Sequence, residues 1–124
     1  MRRRIEKQEI QFRGSPGGAL ERIVKLPDGR QYTHRCSKEV FEAVAAYLDD
    51  HQSQGTDIKS LAGAIGWPMT QVNVAMQLLV ERGLLDIRDQ LAYVTAGYAK
   101  GFFDHAMIEF LALIENCPPT IRPA

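Results

Sequence analysis

Two runs of helix-spaced apolar residues, each closed by a glycine and joined through a proline turn, set the tightest limit on how this chain can fold. Ile58, Leu61, Ala62 and Ile65 share one face of a short helix. Thr56 or Asp57 is placed to cap it, and Gly66 ends it, because glycine takes the left-handed conformation a helix C-terminus favours. Pro68 fits the first turn of the next helix, where its missing N–H costs little. Val72, Ala75, Met76 and Leu79 make the inner stripe of that helix, and Gly83 ends it. Leu84–Arg88 and Leu91–Thr95 then read as short strands, with Asp89-Gln90 between them too short for anything but a tight turn.

The flanking segments continue this reading. Ile5, Ile10 and Phe12 alternate loosely enough for a short strand over 5–12, and Gly14–Gly18 is a breaker cluster. Leu20–Leu26 and Gln31–Arg35 flank Pro27-Asp28-Gly29, which predicts a β-hairpin over 20–35. Ser37 is the N-cap of a helix from about Lys38 to His51, with Val40, Phe41, Val44, Tyr47 and Leu48 inward. A last helix runs from about Tyr98 to Asn116, where Pro118 and Pro119 stop it. The expected fold class is α+β. A basic arm and hairpin occupy 1–36, a helical domain with a terminal hairpin and long last helix occupies 37–116, and a tail occupies 117–124.

At 124 residues with 45% apolar and 24% charged side chains, the chain has the size and composition of one ordinary globular domain. No window holds 18 consecutive apolar residues, so no membrane partner is expected, and no apolar stretch follows Arg2-Arg3-Arg4 as a secretory signal requires. Cys36 and Cys117 make no disulfide framework, so a cytoplasmic chain with free thiols is expected. The net charge is zero, yet residues 1–38 carry +6 and residues 39–124 carry −6. A basic arm suits nucleic acid, and it equally suits the acidic remainder, with Lys25, Arg30 and Arg35 meeting Glu39, Asp49 or Asp50.

The order of elements resembles the winged-helix form of the helix-turn-helix, as in small regulators of the MarR type. The resemblance is carried by Ile58-x-x-Leu61-Ala62-x-x-Ile65-Gly66, by Val72-x-x-Ala75-Met76-x-x-Leu79-x-x-x-Gly83-Leu84-Leu85 and by Tyr93-x-Thr95-x-Gly97. A generic small α+β domain is the alternative. The resemblance implies a dimeric, sequence-specific DNA-binding regulator whose third helix enters the major groove. Its outward positions are Thr70, Gln71, Asn73, Val74, Gln77 and Leu78. Asn73 and Gln77 lie one turn apart and suit base edges, Gln71 joins them, and Thr70 suits phosphate. Arg2, Arg3, Arg4 and Arg88 add attraction for the DNA backbone.

Two features depart from that pattern. Val74 stands where such proteins often carry Arg or Lys, and the helix has no cation before Arg82. The contrasting expectation is a protein–protein interaction module that does not bind DNA, in which Val74 and Leu78 face protein. Burial of both under the hairpin or in a homodimer distinguishes the two readings.

The last helix is apolar on more than one face. Phe102, Phe103, Met107, Phe110, Leu111 and Ile114 suggest a homodimer contact, as the resemblance also implies, unless the N-terminal hairpin covers the second face. Trp67 reads as a packing residue between the two short helices, or as a lid or indole donor at an effector pocket. His34 is expected in solvent, and Asp49-Asp50 on a solvated helix end. No metal-ligand spacing, phosphate loop or nucleophile set is present, so no enzyme activity, metal or cofactor is expected.

Overall fold

A computed structural model describes residues 9–116. Strands β1 (Glu9–Gly14), β2 (Leu20–Lys25) and β3 (Gln31–Cys36) form an antiparallel sheet in the order β1-β2-β3. Helices α1 (Lys38–Asp50), α2 (Ile58–Ile65) and α3 (Met69–Glu81) follow, then the hairpin β4 (Leu85–Arg88) and β5 (Leu91–Val94), then α4 (Phe102–Glu115). The chain is therefore a small α+β fold with four helices and two antiparallel sheets among its described residues. No helix there is long and apolar enough to cross a membrane.

The local chemistry at the helix ends is the chemistry the sequence predicts. Ser37 accepts from the Val40 N–H at the start of α1. Of the two candidate caps of α2, Asp57 is the one used, accepting from the Ser60 N–H at 2.7 Å. That bond holds its carboxyl below the usual carboxylate range. Gly66 closes α2 at φ 76°, and Pro68 sits one residue ahead of α3. The turn of the second hairpin puts both Asp89 and Gln90 at positive φ, the requirement of a two-residue type I′ turn.

Three differences have plain causes. The short strand expected over 5–12 appears among the described residues as β1 over Glu9–Gly14, and it joins the predicted hairpin as a third strand. The last helix begins at Phe102 rather than Tyr98, because residues 96–98 form a single 3₁₀ turn and Gly101 breaks the path at φ 76°. Pairing with the acidic remainder, one of the two readings of the basic segment, does not occur for Arg35 or Arg30. Arg35 pairs with Glu21 and Arg30 with Asp28, both inside the N-terminal sheet.

Strand register divides the sheet into two faces. Leu20, Arg22 and Val24 on β2 share the inner face with Gly14, Phe12 and Ile10 on β1 and with Cys36, His34 and Tyr32 on β3. Leu20 and Cys36 enter the same core as Val40, Phe41, Val72, Val74, Leu78, Phe102 and Phe110. Burial pushes the Cys36 thiol up to about 12, so it stays protonated and unreactive at neutral pH. On the outer face, Glu21 lies between Arg13 and Arg35, with N–O distances of 2.8 and 2.7 Å. Burial raises the Glu21 carboxyl, but the hydrogen bonds and charges of Arg35 and Arg13 outweigh it and hold it below its usual value.

Gly14 sets how closely the sheet meets α4. A Cβ placed there lies 2.5 Å from the Leu113 carbonyl oxygen and 2.7 Å from the Ile114 Cα, both of them backbone. Gly14→Ala is expected to lower stability by about 1–3 kcal/mol, the range for overpacking, read as a fall in thermal midpoint. Glu21 generates a second expectation. Its folded pKa is depressed, so its contribution is present above the unfolded value of about 4.3 and is lost as pH falls through the folded value. The stability gap between the wild type and Glu21→Gln, measured by urea unfolding, should be widest near neutral pH and should close in acid.

Candidate functional site: a groove along α3

The helix expected to face outward is enclosed. Val74 and Leu78 have no exposed surface, and Val72, Ala75, Met76 and Leu79 are buried on the other side. The sheet accounts for the difference, since β2 and β3 both pack against α3. The outward placement of Val74 and Leu78 is thereby corrected. They belong to the hydrophobic core, where an apolar side chain gains most.

The four polar candidates on α3 are not brought together as one surface. Thr70 is exposed near the N-terminus of the helix. Gln71 Oε1 accepts from the Ser37 backbone N–H at 2.9 Å and ties α3 to the cap of α1. Gln77 Oε1 accepts from Arg22 Nη1 at 2.5 Å. Asn73 is half-buried, and its amide has no protein partner among the described residues' hydrogen bonds. Arg88 is exposed, pairs with Asp86 at 3.3 Å and lies 4.8 Å over the Tyr93 ring. Arg2, Arg3 and Arg4 lie outside the described residues.

Arg22 is the residue that sequence reasoning missed. It is 6% exposed on the inner face of β2. Nη1 donates to Gln77, Nη2 lies 2.7 Å from His34 Nδ1, and Nε has no partner. Neither partner is a carboxylate, so a guanidinium that cannot deprotonate is held here without an ion pair. His34 is consequently half-buried against Arg22 rather than in solvent. The signal was in the alternation. Arg22 falls between Leu20 and Val24, at a position strand periodicity assigns to the core.

Beyond the exposed Met69 and Thr70 at its start, part of α3 forms the floor of a groove of about 630 Å³. Ile10 and Phe12 of β1 form one wall. Thr56, Asp57 and Ile58 at the start of α2, with Ile87, Gln90 and Ala92 of the second hairpin, form the other. The floor is Asn73, Met76, Gln77, Val80 and Glu81. Thr56 and Ala92 exchange backbone hydrogen bonds at 3.1 and 2.8 Å, which fixes the second wall. The groove falls within the usual size of ligand sites, is mostly apolar, and carries a few polar groups that can set orientation. Among the described residues its lining includes two acids and no lysine or arginine.

The other sequence candidates are dispersed. Phe102 and Phe110 are wholly buried in the chain's own core, where Phe110 stacks on Phe41 at 4.8 Å, so they are corrected as dimer-contact residues. Phe103, Met107 and Ile114 are half-buried. The exposed apolar residues of α4 are Leu111, at 39%, and Ile108, at 60%. Trp67 is 38% exposed at the corner between α2 and α3. Asp49 is half-buried and accepts from Gln52, while Asp50 is exposed. Among the described residues no three His, Cys, Asp or Glu side chains are grouped to hold a metal.

Comparison with known proteins finds no relative: no family model matches the chain, and no curated protein or solved structure does. The Arg22 contact gives the test of the groove floor. Gln77→Leu leaves a second nitrogen of a buried guanidinium unpaired and is expected to cost about 1–3 kcal/mol in chemical unfolding. The neighbouring change Asn73→Ala, which breaks no such bond, should cost much less.

Proposed function

We propose that this chain is a protein–protein interaction module built on a winged-helix arrangement, and that the groove along α3 receives its partner. The observation that carries the reading is the complete burial of Val74 and Leu78 on a helix against which β2 and β3 of the N-terminal sheet pack. A major-groove reader must project its helix into a channel about 12 Å wide. Here the helix is recessed, with β1 on one side and α2 with the second hairpin on the other. Two of its amides are already committed, Gln71 to Ser37 and Gln77 to Arg22.

The winged-helix arrangement is supported by the order α1, α2, α3, β4, β5 and by the antiparallel bridge between Thr56 and Ala92, which adds a third short partner to the β4–β5 hairpin. The groove offers what a short protein segment needs. Ile10, Val80 and Ile87 are large apolar side chains left in solvent, and the Asn73 amide is available to fix a backbone. Exposed apolar clusters of this kind mark contact surfaces more often than chance placement.

The test pairs a negative with a positive measurement. Fluorescence anisotropy with random-sequence duplex DNA at low salt should show no association within the usual non-specific range of roughly 10⁻⁴–10⁻⁶ M. Selection from a displayed peptide library should enrich a common motif whose binding is lost in Val80→Glu and in Ile87→Glu. Salt-sensitive DNA binding that Asn73→Ala weakens by tenfold or more would overturn the reading and restore α3 as a base-reading helix.

A further inference from the structure

We infer that the free edge of β1 is a self-complementary surface, and that it pairs with β1 of a second copy of this chain. The inference goes beyond the interaction-module reading and does not depend on it. Among the described residues, sheet order leaves β1 with a neighbour on one side only. Along it Glu9, Ile10, Gln11 and Arg13 are all exposed, Phe12 is half-buried, and Gly14 alone is buried. Open edges of this length invite pairing with another strand, and proteins commonly cover or disrupt them.

The sequence of β1 matches itself when it is reversed about Gln11. Antiparallel pairing around a two-fold axis through Gln11, perpendicular to the sheet, sets Glu9 opposite Arg13 of the partner subunit and Ile10 opposite the partner's Phe12. By symmetry the same two pairs recur on the other side of the axis, with Gln11 opposite the partner's Gln11. Faces agree as well as residues. Glu9, Gln11 and Arg13 lie on the outer face with Glu21, and Ile10 and Phe12 lie on the inner face with Arg22. Opposite charges therefore meet on the solvent side, and apolar groups meet on the core side, the pairs that stabilise neighbouring strands.

Arg13 is equipped for both roles. It bonds Glu21 through Nε, and its side chain is still 54% exposed. The opposite edge has no such match. Centring β3 on Thr33 sets Gln31 against Arg35 and supplies no acid. The pairing joins two three-stranded sheets into one of six strands. It also continues the apolar groove wall, because Ile10 and Phe12 are that wall.

Sedimentation velocity on the full 124-residue chain tests this. The wild type is expected at twice the 13.9 kDa of a single chain. Glu9→Arg places like charges opposite one another in its own dimer, and so does Arg13→Glu. Each alone should run as a monomer, with self-association weakened at least tenfold. Mixed in equal amounts, the two should dimerise again, because both ion pairs re-form between unlike chains. A merely structural role for Arg13 does not give that rescue.

Circular dichroism checks that each variant is folded. Should Arg13→Glu fail to fold through loss of its Glu21 contact, Gln11→Cys in a Cys117→Ser background replaces it. Directly opposed residues in antiparallel strands lie about 4.5–5.5 Å apart at Cα, within disulfide reach. Oxidation should therefore link two chains through position 11. A monomeric wild type at all concentrations, a dimer unaffected by the charge changes, or a dimer lost only in Ile108→Glu on α4 would each overturn the proposal. So would the absence of a cross-link at position 11. None of these results bears on whether the α3 groove binds a partner.

Discussion

The contact between the N-terminal sheet and α3 is the constraint on which the rest of this fold depends. Without the sheet, α3 loses one layer of its cover, since β2 and β3 both pack against it in a fold of four helices. With it, one helix serves two layers: α1 and α2 on one side, β2 and β3 on the other. The arrangement buries α3 almost all round, which few helices of a domain this small achieve. It also carries a cost, the confinement of Arg22 at the interface. Burying a cation without an ion pair stabilises nothing by itself. It does fix register. A slip of β2 by one residue exchanges Arg22, Leu20 and Val24 for Glu21, Ile23 and Lys25 on the inner face. Gln77 and His34 can satisfy a guanidinium at one position only.

The zero net charge gains a local explanation. The excess of cations near the N-terminus suggests a long-range match with the acidic remainder. The observed ion pairs of Arg13, Arg30 and Arg35 are short in sequence and lie within the sheet and its turn. Glu21 is the organising group, because two exposed arginines converge on it from the two flanking strands. The hydrogen bonds and charges of the two together outweigh the desolvation that raises its pKa. The acidic side chains of the helical part are left without those partners, and two of them, Asp57 and Glu81, border the groove.

Much of the secondary structure was legible because it is written locally. Ser37, Asp57, Gly66 and Gly83 mark helix ends through caps and left-handed turns that need no tertiary contact. Pro27-Asp28-Gly29 and Asp89-Gln90 mark the hairpins in the same way. What could not be read was which apolar face meets which. Val74 and Leu78 are apolar at positions the helix pattern turns outward, and that mismatch is the trace of their cover. The wide apolar surface of α4 suggested a second chain, yet Phe102 and Phe110 fill the core between α4 and α1. Periodicity tells that a face is buried. It does not tell whether the cover comes from another part of the same chain, and β1, whose pattern is loose, gave little warning that it would reach α4 at Gly14.

Ile10 and Phe12 hold a double position that makes the two proposed surfaces interdependent. They are the inner-face residues of the free β1 edge, and they are one wall of the α3 groove. A partner seated in the groove rests against side chains that a second copy would also order. Where occupying one place changes the free energy of binding at the other, linkage makes the effect the same in both directions. Its sign follows from geometry. A second strand that holds Ile10 and Phe12 in their present rotamers removes part of the ordering cost of filling the groove, and association strengthens. A partner deep enough to push Phe12 toward the free edge has the opposite effect, because it occupies the space where the partner subunit's Ile10 must lie.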